Sequence, residues 1–135
     1  MLPKKYRVTK DKEYKNIFQN GVSVFSGFII LRAAENDLGF DRFGFIASLK
    51  VSKKAYQRAK IKRWLRESAR KILRKETNQG FDIAVIAKKG AFETSFKEMD
   101  SELRWAFSKM LQIYERKKSF NKGYQNLPKN NFSGS

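Results

Sequence analysis

The chain offers little of the side-chain chemistry that protein catalysis uses. Among its 135 residues there is no His and no Cys, which removes the imidazole base, the thiol nucleophile, disulfides and the usual zinc ligands together. Carboxylates remain as groups that could hold Mg²⁺ or share acid–base work: Asp37, Asp41, Asp82, Glu93, Glu98, Asp100 and Glu102. None falls in a D-x-D or metal-loop spacing, and turns, helix caps and solvated surface account for most of them. No Gly-x-x-x-x-Gly-Lys phosphate loop occurs, and the eight glycines stand singly at turns and ends. What the chain has is cationic chemistry. From Lys50 to Lys75, Lys and Arg fill twelve positions, and Glu67 is the only acid. Such a crowd repels itself unless a polyanion neutralises it, so the expectation is a phosphate-binding surface with no catalytic residue and no protein-held metal.

The element that must carry those cations is a helix. From about Ala55 there is no Gly or Pro, and Ile61, Leu65, Ser68, Ala69 and Ile72 recur at three- and four-residue steps, as one buried face requires. At about 100° per residue Arg63, Arg66, Arg70 and Arg74 point away from that face, while Arg58, Lys60 and Lys62 crowd the first turns and flanks. An ordinary solvated face mixes its signs; this one does not.

Composition agrees. Thirty Lys and Arg against thirteen Asp and Glu give a net charge of +17, which points to polyanionic partners. With 41% hydrophobic and 14% aromatic residues this is a folded basic protein. The length suits a single α+β domain over residues 1–115, followed by a basic, polar stretch over 116–135 that reads as a disordered tail. No secretory leader opens the sequence, and the longest apolar run, Phe28 to Leu31, is far too short to span a bilayer. The expectation is a soluble, cytoplasmic protein with no membrane partner and no small-molecule substrate. Binding in a DNA major groove is disfavoured, because so many cations with few Asn or Gln give grip and little base readout.

Around the basic helix the chain reads as alternating elements. Thr9 is placed as an N-cap, Asp11 and Glu13 complement the first turn, and Gly21 stops a short helix as a C′ glycine. Tyr14, Ile17 and Phe18 share one side of it, where the aromatics either pack as ordinary core or stack on unpaired bases. Val22 to Ala34 is β-rich, as one strand or two, and Asn36-Asp37-Leu38-Gly39 has the turn chemistry of a hairpin leading into Phe40 to Ser48. That return strand is apolar on both sides and is therefore expected to be central. Asn78-Gln79-Gly80 closes the basic helix, and Phe81 to Ala87 is a buried strand free to pair in parallel across a βαβ crossover. Ser95 and Glu98 form a capping box before a last helix packed through Phe96, Met99, Leu103, Phe107, Met110 and Tyr114. The order is α-β-β-α-β-α, a small mixed sheet packed with helices, and no internal repeat is visible.

Ala55-Tyr56-Gln57-Arg58-Ala59-Lys60-Ile61-Lys62-Arg63-Trp64-Leu65-Arg66-Glu67 resembles the signature of the protein subunit of bacterial ribonuclease P, in which Arg-Asn-Arg is followed by Ile-Lys-Arg, two variable positions, Arg, and Glu or Gln. Lys10 to Ser23 is similar to that family's first helix, Arg42-Phe43-Gly44-Phe45-Ile46-Ala47-Ser48 to the strand before the signature, and Phe81 to Lys88 to the strand after it. The likeness covers about residue 5 to residue 112. Where the family has Arg-Asn-Arg this chain has Arg58-Ala59-Lys60, exchanging an amide for a methyl group and a forked guanidinium for a point charge.

The resemblance implies a ribosomal-protein-like α+β fold with a left-handed βαβ crossover, against the right-handed rule that geometry alone supplies. It further implies a ribonucleoprotein endoribonuclease that removes the 5′ leader of precursor tRNA, with catalysis and Mg²⁺ in the RNA subunit. The partners are then the ribonuclease P RNA and precursor tRNA. On this chain the RNA-binding residues would be Arg58, Lys60, Lys62, Arg63 and Arg66, flanked by Lys53, Lys54 and Arg70, and Tyr14 and Phe18 would line a cleft for the leader. The alternative is a ribosomal or RNA-assembly protein that binds structured RNA without processing it.

Overall fold

A computed structural model describes residues 2–75 and 80–125. Two single-turn 3₁₀ segments aside, the chain runs α1 (Asp11–Asn20), β1 (Val22–Ser26), β2 (Ile29–Glu35), β3 (Arg42–Ile46), α2 (Ala55–Lys75), β4 (Phe81–Ala87) and α3 (Phe96–Gln125). The four strands form one sheet in the order β1-β2-β4-β3, with β3 and β4 parallel and the other pairs antiparallel. No helix among the described residues is long and apolar enough to cross a membrane.

The first β region is two strands. Ser26 pairs with Ile29 across a two-residue turn whose Gly27 has φ of 40°, a left-handed conformation that a hairpin this tight asks of its first turn residue. Asn36 to Gly39, in contrast, is not a hairpin turn. β4 inserts between β2 and β3, so this segment carries the chain over the end of β4, where Asn36 N–H donates to the Gly80 carbonyl. Buried Asp41 receives the N–H groups of Gly80 and Phe81, both at 2.9 Å, and so fixes the start of β4. The central place thus belongs to β4, and β3, expected there, is an edge strand. Its apolar outer surface is covered by the N-terminal segment, which bridges Arg7 to Phe43 and donates Val8 N–H to the Phe43 carbonyl.

Strand alternation sorts the side chains. Ile29, Leu31, Ala33, Phe43, Phe81, Ile83 and Val85 face one way and pack with Ile61, Leu65, Ala69 and Ile72 of α2 and Met99, Leu103, Phe107 and Met110 of α3. The helical faces expected from spacing are those that bury: Ile61, Leu65, Ser68, Ala69 and Leu103 have no exposed surface. Burying an Ile or Leu completely contributes about 1.5–3 kcal/mol, so this layer anchors α2 chiefly by its apolar side. Ser68 is the polar exception; its hydroxyl lies 2.5 Å from Asp100, a carboxylate that also pairs with Arg104. Far along α3, Tyr114 donates to the Ala33 carbonyl at 2.7 Å and packs against the Phe81 ring.

Three local expectations are corrected. α1 is capped at Lys10 and not at Thr9, because the Glu13 carboxylate turns back to accept the N–H groups of both residues at 3.1 Å. Gly21 has φ of −85°, so it is no left-handed stop; glycine is needed because a Cβ there would sit 2.8 Å from the Ala33 carbonyl oxygen. The stretch expected as a tail from residue 116 continues as helix, since α3 runs to Gln125. The remainder of that stretch, 126–135, and Asn78 and Gln79 of the expected helix closure lie outside the described residues.

Candidate nucleic-acid interface

α2 carries its cations on two unlike flanks. Lys60 and Lys62 are separated by about 200° around the helix, and the neighbours of each differ accordingly. The Lys60 ammonium lies 5.2 Å from the Trp64 ring and 5.6 Å from that of Phe92, an aromatic slot closed by the edge-on packing of Trp64 against Phe96. This cation–π contact binds the start of α2 to the turn before α3. Arg58 donates to the Ser52 carbonyl at 2.8 Å and so ties the helix to the segment that enters it. Arg70 pairs with Glu67 at 2.8 Å. Lys62, Arg63 and Arg66 have no ion pair among the described residues, and they share the other flank and the outer surface. The first turn of α2 contains no acid to offset its positive helix end.

The second surface is the other face of the sheet. α1 crosses it above Ala84 and Gly44, two residues small enough to let a helix approach. Tyr14 lies on Gly44, where any Cβ would collide with its ring, and its hydroxyl donates to the Val8 carbonyl at 3.3 Å. Burial, and the charge of Glu13 beside it, push the Tyr14 phenol above its ordinary value.

Both ends of α1 are held by arginines. Arg42 reaches Asp82 at 2.6 Å and Glu13 at 2.8 Å, and its hydrogen bond to Asp82 is the main reason its guanidinium is held charged. Glu13 resists ionisation through its partial burial, but the Lys10 and Thr9 N–H groups and Arg42 together hold it below the usual carboxylate range. At the other end Arg32 donates to the Phe18 carbonyl at 2.9 Å and to that of Gly21 at 3.2 Å, capping a helix that has no basic residue in its last turn. The guanidinium also lies 5.8 Å from the Phe18 ring, which remains 42% exposed.

Beside α1 the sheet is bare. Strand register aligns Phe25, Ile30, Ile86 and Ile46 in one row across all four strands, each at least partly exposed. The row ends in a recess of about 890 Å³ that includes Ile30, Ile86, Lys50, Lys53, Lys88 and Lys89. This is a groove with an aromatic wall, an apolar floor and a cationic rim, the composition that single-stranded nucleic acid requires.

The residues expected to bind RNA therefore divide. Lys62, Arg63 and Arg66 are presented together, Lys60 is drawn into its aromatic slot, and Lys53 belongs to the groove. Lys54 is exposed at the helix start. Tyr14 is half committed to packing, whereas Phe18 is available. Sequence reasoning missed the floor row, the lysines beyond β4 and the two arginine clamps. Arg32 inside an apolar strand and Lys88-Lys89 directly after a buried one were the signals present. Among the described residues there is no group of three or more carboxylates placed to hold a metal ion.

Comparison with known proteins gives one answer. The model of the family described as Ribonuclease P matches residues 2–111. A ribonuclease P protein component from Thermoanaerobacter sp. (strain X514) is 35% identical over 104 residues, 77% of this chain and 88% of the relative. Among solved structures, the Staphylococcus aureus RNase P protein superposes with a TM-score of 0.68 at 27% identity, covering 76% of this chain and 93% of its own. The Thermotoga maritima RNase P protein gives 0.64 at 29% identity, covering 72% and 90%.

Proposed function

The chain belongs to the ribonuclease P protein family, and from that premise we propose a division of labour between its two cationic surfaces. It is a protein component of a ribonucleoprotein endoribonuclease that matures the 5′ end of tRNA. In the proposed arrangement the Lys62, Arg63 and Arg66 flank of α2, with Arg58, Lys54 and Arg70 beside it, lies on phosphates of the ribonuclease P RNA. The groove beside α1 takes the single-stranded leader of precursor tRNA. Lys60 acts mainly through the packing of α2. The family match favours this reading over a ribosomal or assembly role.

The observation that carries the proposal is the coexistence, on opposite layers of one small domain, of a cationic helix flank and an apolar groove with a cationic rim. Phosphate contacts carry no sequence information, and aromatic or apolar surfaces accept any base face. A leader site with such a floor tolerates leaders of different sequence. Phosphodiester hydrolysis is assigned to the RNA subunit, where bound Mg²⁺ stabilises charge on the reacting oxygens. A role on tRNA precursors implies a cytoplasmic protein.

The test is reconstitution with the cognate RNA. Phe18→Ala should weaken binding of precursor tRNA by roughly tenfold, the loss of about one base–aromatic stack, and leave mature tRNA affinity unchanged. Equal losses for both substrates would remove Phe18 from a leader site.

A further inference from the structure

The charges of the open face are not spread evenly along it. At one end Lys50 and Lys53, from the segment entering α2, and Lys88 and Lys89, from the end of β4, converge on the recess above Ile30 and Ile86, and among the described residues no acid lines it. At the other end a recess of about 560 Å³ has the opposite balance, with Glu13, Glu35, Asp37 and Asp82 against Lys12 and Arg42. A polyanion lying on this face is drawn to the lysine end and repelled from the acidic one.

Four ammonium groups share one recess that no acid lines among the described residues. Each internal phosphodiester brings a single negative charge, so a strand passing through must lay several nucleotides in the recess to match its four lysines. Uncompensated, the lysines repel one another across it. A 5′-terminal triphosphate places several charges on one nucleotide, and lysine, a flexible point charge with three donors, accommodates phosphate oxygens in many geometries. The Ile30 and Ile86 side chains can meanwhile support the base. Resting on the leader reading of the groove, we propose that this recess binds the 5′-terminal triphosphate of a leader just long enough to reach it. The protein would then distinguish the unprocessed start of a transcript from an internal phosphate of a longer leader.

The experiment uses the holoenzyme reconstituted with its own RNA and a set of precursor tRNAs whose leaders lengthen one nucleotide at a time. Each is prepared with a 5′ triphosphate, monophosphate or hydroxyl, and binding is measured under conditions that prevent cleavage. The expected result is a triphosphate-over-hydroxyl preference of roughly fivefold to tenfold at one leader length, the range that two or three partly exposed ion pairs supply, with little at shorter or longer leaders. Lys88→Ala combined with Lys89→Ala should abolish the preference, and Lys88→Arg with Lys89→Arg should retain it. A preference equal at all lengths would show only the long-range effect of added charge and would overturn the proposal, as would no preference at any length. The leader reading is judged separately, by whether hydroxyl-ended precursors bind more tightly than mature tRNA.

Discussion

The outer flank of α2 and the open face of the sheet are both cationic, yet they are built from different parts. On α2, Lys62, Arg63 and Arg66 stand on a helix whose apolar side is fully used by Ile61, Leu65, Ala69 and Ile72. On the sheet, Phe25, Ile30, Ile86 and Ile46 leave a row of apolar surface beside Phe18, and lysines appear only at its end. The first arrangement can only neutralise phosphates, so its strength should depend steeply on salt. The second gives bases somewhere to lie and should depend on salt less. Charge without an apolar partner suits a duplex-rich RNA whose bases are already stacked. Charge beside apolar surface suits a strand whose bases are not.

The comparison can be broken from the groove side by removing its support. Asp82 is buried and holds Arg42, which in turn holds Glu13 at the start of α1. Asp82→Ala should cost about 3 kcal/mol, because it leaves a largely buried guanidinium with one partner fewer. Chemical denaturation would measure this, and the folded fraction should bind the RNA subunit normally while losing its advantage for leader-bearing substrates. From the α2 side, Arg63→Ala with Arg66→Ala should reduce the slope of log affinity for the RNA subunit against log salt by about two, with the leader advantage preserved. An unchanged slope would place the RNA elsewhere.

Smaller effects sharpen the difference between the two flanks of α2. Lys60→Met should lower stability by about 0.5–1 kcal/mol through the lost cation–π contact, and alter the salt slope less than either arginine does. Smallest is the acid dependence of α1. The Glu13 carboxyl is depressed in the folded protein, so its stabilisation is complete above the ordinary carboxylate range and is lost as pH falls through its lowered value. Melting curves of the native protein and Glu13→Gln should therefore converge in acid and separate toward neutrality.

Much of this molecule is legible in its amino-acid sequence, and the legible parts share a cause. The buried positions of α2 and α3 follow from a helical period expressed within a few residues, which is why Ile61 through Ile72 and Met99 through Tyr114 are identifiable. Strand order is not legible, because β4 enters between β2 and β3 from some forty residues away, and a good turn at Asn36 to Gly39 gives no warning of it. Nor does sequence spacing show that Gly21 and Gly44 are glycines for want of room. The cationic flank of α2 is visible as a run of charge, but its division is not; Lys60 turns away only because Trp64 and Phe92 converge from separate elements. The groove floor, one residue from each of four strands, exists only once the register is known.

Site-specific photo-cross-linking in the holoenzyme with bound precursor tRNA tests the division of labour most directly. A photoreactive side chain at position 18 should capture the 5′ leader, and one at position 66 should capture the ribonuclease P RNA. Capture of the same RNA from both positions, or of the leader from position 66, would contradict it.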